Sequence, residues 1–442
     1  MDCWTGSVLK GMLYKKDGKA DKGLFWWFGL SLPFFLVVRT ALDPLSEFKL
    51  SKTMDINVAA VYGVAIGLLS LLFVADRWRA GDFCLDRVAK AFMVFLVFLL
   101  FWVPVAYFNF GKAGLLCATR EWIRAFVIFT VYLAFYQLAR CVGVDRVITV
   151  LFLSLPVPLA MATRQIFLGE RRIWGSLPHP NPFAFYLAFF MGLTLWKARC
   201  GNKKTLWIIF LFVEATFLCL TWSKGGLLMA TLMLVFFLLF TGSWRFRVLC
   251  LSLVVFMGAF WVVSPVGRYR LKHSVPHLKT VEKKITVEKE KKITVEKEKK
   301  TSENEIPVEN SSDWRLVHWK ILLERWKDKP LMGYGLDTSE KFVSPWHALP
   351  HNDYVKFLVE TGIVGFLVWI TFLLVVGWRF LRGPRESCHK HLAFTLLVVF
   401  LAWQMSALFS NQWKATCFLF YFWAVAGLVL GTPNHEGCST QE

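Results

Sequence analysis

Long apolar runs recur along almost the whole chain, and few folds can accommodate them. Runs able to cross about 30 Å of hydrocarbon at roughly 1.5 Å per helical residue lie near residues 24–41, 56–75, 88–108, 122–139, 147–163, 182–197, 206–222, 225–242, 247–266, 355–378, 391–408 and 415–431. Composition agrees. Of 442 residues, 56% are hydrophobic, 17% aromatic and only 19% charged, and the mean hydropathy is +0.48. A soluble globule is excluded. The expected fold is an all-α polytopic integral membrane protein with about twelve transmembrane helices and one large outer loop. The expected division is an N-terminal bundle over 1–266, the loop over 267–354, and C-terminal helices over 355–442.

Orientation follows from lysine and arginine in the short loops, which favour the cytoplasmic side. A cytoplasmic N-terminus places inside the tail with Lys10, Lys15, Lys16, Lys19 and Lys22, then Arg77/Arg79/Arg87, Arg140/Arg146, Lys197/Arg199/Lys203/Lys204, Arg245/Arg247 and Arg379/Arg382/Arg385/Lys390. Cysteine usage matches: Cys3, Cys84, Cys141, Cys200, Cys388 and Cys438 fall on that side, while the long outer loop has none. Disulfides are therefore not expected as a framework. The first apolar run begins late and lacks a small-residue cleavage site, so it reads as a retained span.

Two outer segments break the positive-inside pattern. One is 164–181, with Arg164, Arg171 and Arg172; the other is the long loop. Snorkelling to lipid headgroups is the plain alternative for these arginines. Within the loop, 280–300 is a tandem repeat (TVEKKI, TVEKEKKI, TVEKEKKT) that offers little to bury and reads as a solvated spacer. Beyond it, Ser311, Ser312 and Asp313 are N-cap candidates. Leu316, Trp319, Leu323 and Trp326 then form the stripe of an amphipathic helix, with Arg315, His318, Leu322 and Arg325 on another face. Pro330, Gly333 and Gly335 end that helix in a turn.

The remaining chemistry-bearing residues are few. His351-Asn352 precedes a span that carries Glu360, Gly362 and Gly365, the two glycines spaced for close helix packing. His179 and His347 are competing imidazoles. Asn352 either holds the histidine ring or caps the next helix, and Glu360 reads as a packing or hydrogen-bonding residue. Glu214 is an intramembrane carboxylate and so a candidate by default. Trp174, Trp222, Trp314 and Trp346 suit interface anchoring or sugar stacking. No Cys/His spacing or carboxylate cluster indicates a metal, and no Gly-rich phosphate loop is present.

Taken in order, Arg172…Gly175…His179-Pro180-Asn181-Pro182, then Thr221-Trp222-Ser223-Lys224-Gly225-Gly226, then Arg315…Trp319 and PLMGYGLD (330–337), then His351-Asn352…Glu360…Gly362…Gly365 resemble the signature of the O-antigen ligase superfamily. That superfamily comprises O-antigen ligases, O-antigen polymerases and bacterial protein O-oligosaccharyltransferases. The chain departs from it at Lys224, where arginine is usual.

The resemblance implies a GT-C-like architecture with the long loop in the periplasm, in a bacterial inner membrane. It also implies transfer of a glycan from undecaprenyl diphosphate to an acceptor hydroxyl, without nucleotide sugar, metal or other cofactor. Cationic clamps for the diphosphate would come from Arg164, Arg171, Arg172, Lys224 and Arg315. His351 would be the general base, with Asn352 beside it at the substrate. The acceptor most in keeping with the length and the single dominant loop is lipid A–core, as in a ligase. A polymerase or protein glycosyltransferase using the same donor is the alternative. A transporter or flippase, predicting inverted repeats and several intramembrane charges, fits less well. Membrane lipids are expected partners; nucleic acid is not.

Overall fold

The computed structural model describes residues 26–47, 49–51, 56–272, 311–383 and 387–432. The basic tail from Lys10 to Lys22, Cys3, Cys438, Arg385 and the 280–300 repeat lie outside the described residues. The fold is helical apart from a short antiparallel ribbon, Lys49–Ser51 with Ile56–Asn57.

The apolar runs become helices. The first two are α1 (Trp26–Leu42) and α2 (Val58–Arg79). The runs at 88–108 and 122–139 fall on one helical stretch, α3 (Arg87–Ala139), broken at Gly111, which has φ 62°. The run at 147–163 is divided between α4 (Val144–Phe152) and α5 (Pro156–Phe167), because Pro156 lacks the N–H needed to continue the helix. There follow α6 (Pro180–Cys200), α7 (Lys204–Leu220), α8 (Lys224–Phe240), α9 (Trp244–Val263), the short α10 (Pro265–Lys272), α11 (Ser311–Trp326), α12 (Asp353–Leu381), α13 (Ser387–Ser406) and α14 (Thr416–Leu430). By length and composition alone, six helical stretches among the described residues are apolar enough to cross a membrane, so the chain is a multi-pass membrane protein.

Two helices form the centre. In α14 every residue from Cys417 to Leu430 is buried, and α6 is buried from Phe183 to Trp196. A Cβ on Gly427 would stand 2.4 Å from the Tyr132 carbonyl oxygen, so only glycine lets α14 lie this close to α3. Glu214, fully buried on α7, accepts a hydrogen bond from Thr194 Oγ1 on α6 at 3.1 Å.

Gly362 departs from the expected helix-packing role. It has φ 62° and breaks α12, and the freed backbone groups are taken up by the 330–335 loop. Tyr334 N donates to Val359 O (3.1 Å), Gly335 N to Glu360 O (2.8 Å), Ile363 N to Pro330 O (2.9 Å) and Val364 N to Leu331 O (3.3 Å). A Cβ on Gly362 would meet Leu331 O at 2.2 Å. Irregular backbone inside a spanning helix survives only where protein satisfies it, and this loop does so. Gly365 keeps a packing role, since a Cβ there would stand 2.8 Å from the Trp102 ring.

The face that α11 buries also differs from expectation. Asp313, Val317, His318 and Leu322 are buried, while Leu316, Trp319, Leu323 and Trp326 are half-covered. Leu322 joins Val343 and Val359 in a small apolar cluster, so the helix is seated on the loop and α12 by the face that carries the histidine.

Candidate functional site

Segments far apart in sequence converge on one cavity of about 380 Å³. Four cations line it, Arg172, Lys224, Arg270 and Arg315, together with His351. Trp222, Tyr269 and Phe409 add aromatic wall, and Asn181, Gly225 and Ser410 complete it. Among the described residues no carboxylate lines it.

The turn between α7 and α8 organises the cations. Ser223 caps α8: its Oγ accepts from Gly226 N at 3.2 Å and donates to Asn181 Oδ1 at 2.8 Å, which ties the turn to the start of α6. Thr221 O accepts from Arg172 Nε (3.1 Å), and Trp222 O accepts from an Arg270 guanidinium nitrogen (2.9 Å). One turn thus fixes two guanidinium groups. Trp222 is held at φ 52°, an uncommon conformation for a bulky residue, with its ring packed on Phe260 and Trp261. Lys224 opens α8, where the helix dipole disfavours a cation and favours an anion. Neither Lys224 nor Arg315 has a salt-bridge or hydrogen-bond partner among the described residues.

His351 reaches the cavity from the other side. It too has a left-handed backbone, φ 52°, immediately before Asn352 caps α12 by accepting from Tyr354 N (2.9 Å) and Val355 N (3.1 Å). The preceding carbonyl, Pro350 O, accepts from Trp319 Nε1 at 2.5 Å, so α11 holds the segment in place. Trp314 meets the His351 ring edge-on at 5.8 Å, and Arg315 enters the cavity from the same helix.

Electrostatics sort the roles. Burial, reinforced by the Arg315 guanidinium and the nearby His318 and His179, pushes the His351 imidazole down to about 4. It is neutral at neutral pH and able to accept a proton. Burial and the neighbouring Arg270 cation lower Arg172 to about 10, and burial also lowers Arg315 and Arg270. Cations crowded together and partly desolvated on one wall suit a multiply charged anion. Among the described residues, no three His, Cys, Asp or Glu side chains could together hold a metal ion.

Of the residues singled out in the sequence, the cavity gathers His351, Arg172, Lys224 and Arg315. Arg164 and Arg171 are exposed outside it, and Asn352 is a buried helix cap that does not line it. Arg172 differs from its neighbours because the Thr221 carbonyl draws it inward. His179 caps α6 by accepting from Asn181 N, and His347 pairs with the Lys341 carbonyl. Glu360 accepts from Asp337 N at 3.0 Å and pairs with Lys356 at 2.9 Å, the hydrogen-bonding role expected of it. Arg270 was missed; its one signal was another cation just after an apolar run.

Comparison with known proteins bears on the same region. Residues 207–370 match the family described as O-antigen ligase. In addition, 129 residues are 26% identical to the "Putative polysaccharide ligase" of Rickettsia conorii, covering 26% of this chain and 30% of that protein. Both matches support the O-antigen ligase superfamily. The matched segment contains Lys224, Arg270, Arg315 and His351, so it supplies three of the four cations and the imidazole. Arg172 and Asn181 come from the chain before it, and Phe409 and Ser410 from the chain after it.

Proposed function

We propose that this chain transfers a glycan from undecaprenyl diphosphate to a hydroxyl of lipid A–core at the outer face of the bacterial inner membrane. The observation that carries this reading is the cavity itself: four cations, one neutral imidazole and, among the described residues, no carboxylate on the wall. Arg172, Lys224, Arg270 and Arg315 hold the diphosphate. His351 accepts the proton of the acceptor hydroxyl. The acceptor oxygen forms its bond to the anomeric carbon as the bond from that carbon to the diphosphate oxygen breaks. The bonding pair leaves with the diphosphate, whose added negative charge the cations stabilise. The proton then passes from His351 to solvent or to the departing lipid diphosphate.

On this reading 267–354 is periplasmic, both termini are cytoplasmic, and the bundle over 1–266 and helices over 355–442 flank the loop. Asn352 serves as a positioning residue, since its cap fixes the backbone next to His351. Arg164 and Arg171 lie outside the diphosphate site.

The test is transfer in membrane vesicles given lipid-linked glycan and lipid A–core, with chelator present. His351→Ala lowers turnover by about 10²–10⁴-fold, the usual contribution of a positioned base, in protein inserted at normal level. Full turnover by that variant would reject the mechanism. Transfer to glycan termini or to protein, with none to lipid A–core, would replace the acceptor and keep the site.

A further inference from the structure

His318 is the only fully buried histidine among the described residues, and neither of its ring nitrogens has a hydrogen-bond partner. A buried polar group without a partner lowers stability, and a phenyl ring would fill nearly the same space without that cost. Packing alone therefore does not account for an imidazole here. Its surroundings are aromatic: Trp314 lies 4.8 Å away and Trp346 5.2 Å away between ring centroids, and the two indoles are 5.8 Å apart. Both indoles are only half-buried.

This cluster adjoins the base. Trp314 touches the His351 ring, yet Trp314, His318 and Trp346 do not line the cationic cavity. In a single displacement the incoming oxygen approaches the anomeric carbon opposite the leaving group, so the acceptor must reach His351 from a side that the diphosphate does not occupy. The indole cluster borders such a side. Trp346 is carried on a segment with left-handed backbone at His347 (φ 49°) and His351 (φ 52°), conformations that non-glycine residues hold at a cost and that cluster at active sites and switch regions.

Resting on the glycan-transfer reading above, we propose that Trp314, His318 and Trp346 form the subsite for the acceptor sugar. The apolar face of a pyranose stacks on the indoles, and one of its hydroxyls pairs with a His318 ring nitrogen as Trp346 swings aside. A sugar suits this place better than other ligands. An apolar group would leave the nitrogens orphaned, and an anion is better placed among the four cations of the cavity.

The test uses the full-length protein in vesicles, with lipid A–core as acceptor and undecaprenyl-diphosphate-linked glycan as donor. His318→Phe is expected to melt no lower than the parent, since the orphaned nitrogens are gone, yet to raise KM for lipid A–core about tenfold, as the loss of one hydrogen bond would. KM for the donor and binding of undecaprenyl diphosphate stay unchanged. His318→Asn, which restores a polar group, recovers part of the acceptor KM. Trp346→Ala raises the acceptor KM in the same way. An unchanged acceptor KM in His318→Phe, or an equal rise for donor and acceptor, overturns the subsite. If the parent protein binds undecaprenyl diphosphate but transfers to no glycan hydroxyl, it is the transfer reading that falls; if it transfers and His318→Phe transfers equally well, only the subsite falls.

Discussion

The depressed His351 imidazole makes a pH profile the sharpest probe of the site. With a pKa of about 4 it is about 97% neutral at pH 5.5, whereas at the unperturbed value near 6.5 it would be about 9% neutral. The two cases differ roughly tenfold in base available at that pH. Activity is carried by the neutral form, so it is fully present above the folded pKa and lost as pH falls through it. The acid limb of kcat/KM for the donor, which reports the free enzyme, therefore lies near 4. The limb of kcat lies higher, because a bound diphosphate offsets the Arg315 cation that helps to depress the ring. Removing that cation by Arg315→Gln moves the kcat/KM limb upward, but not as far as 6.5, since burial is the larger cause.

Initial rates in vesicles between pH 4.5 and 7.5, each bracketed by return to pH 7, separate titration from unfolding. The bracket is needed because His351 and His318 both have folded pKa values below the unfolded one. Stability accordingly declines as pH drops from about 6.5 towards 4. A kcat/KM limb at 6.5 or above in the parent, reversible on return to pH 7, would refute the assignment of a buried, cation-flanked base.

Three further outcomes are expected. Arg270→Ala and Arg172→Ala each lower transfer by about 10²–10³-fold, the usual cost of one preorganised charge-stabilising group, and lysine at either position restores only part of it; Lys224→Arg is tolerated, and all are measured as turnover at equal protein level. Gly362→Ala destabilises the detergent-solubilised protein by several kcal/mol, from about 1–2 kcal/mol of left-handed strain plus loss of the close contact with Leu331 O, whereas Gly377→Ala, whose new Cβ would meet nothing nearer than 3.4 Å, leaves the melting temperature nearly unchanged. Deleting 280–300, a Lys/Glu-rich repeat whose composition offers little to bury, leaves transfer intact at equal expression.

Much of the site was legible because charge between apolar runs is conspicuous in a greasy chain. His351, Arg315, Arg172 and Lys224 stand out for that reason, and the cavity gathers all four. What composition could not do was choose among Arg164, Arg171 and Arg172. That choice is made by a carbonyl 49 residues away, Thr221 O, and by nothing local. Arg270 was hidden for the same reason, because its site role depends on the Trp222 carbonyl. The buried face of α11 was misjudged because the apolar stripe and the seated face are not the same. Periodicity reports where a helix is greasy, while Leu322 and His318 are buried by the loop and α12 that happen to cover them.

The misreading of Gly362 points to how the site is held. Breaking α12 frees backbone groups that the 330–335 loop occupies, and this brings Asp337 and Ser339 over the Glu360 carboxylate. Lys356, one turn earlier, pairs with Glu360 at 2.9 Å, Glu121 at 3.5 Å and Asp337 at 4.0 Å, and Lys414 bonds the same aspartate from the segment before α14. Arg124 completes the group through Glu121. Buried ion pairs of this kind contribute little net stability, because desolvation offsets attraction. What they do is tie α3, α12, the 330–340 loop and the approach to α14 to one another. Those same elements lead directly into His351 through Asn352 and Asp353, and Asp353 in turn accepts from Gln412 N and Trp413 N, next to Ser410 on the cavity wall. His351 and Arg172 come from loops, which are ordinarily the mobile part of a membrane protein, whereas Lys224, Arg270 and Arg315 are carried on α8, α10 and α11. A largely buried ionic network holds the segment that leads into His351.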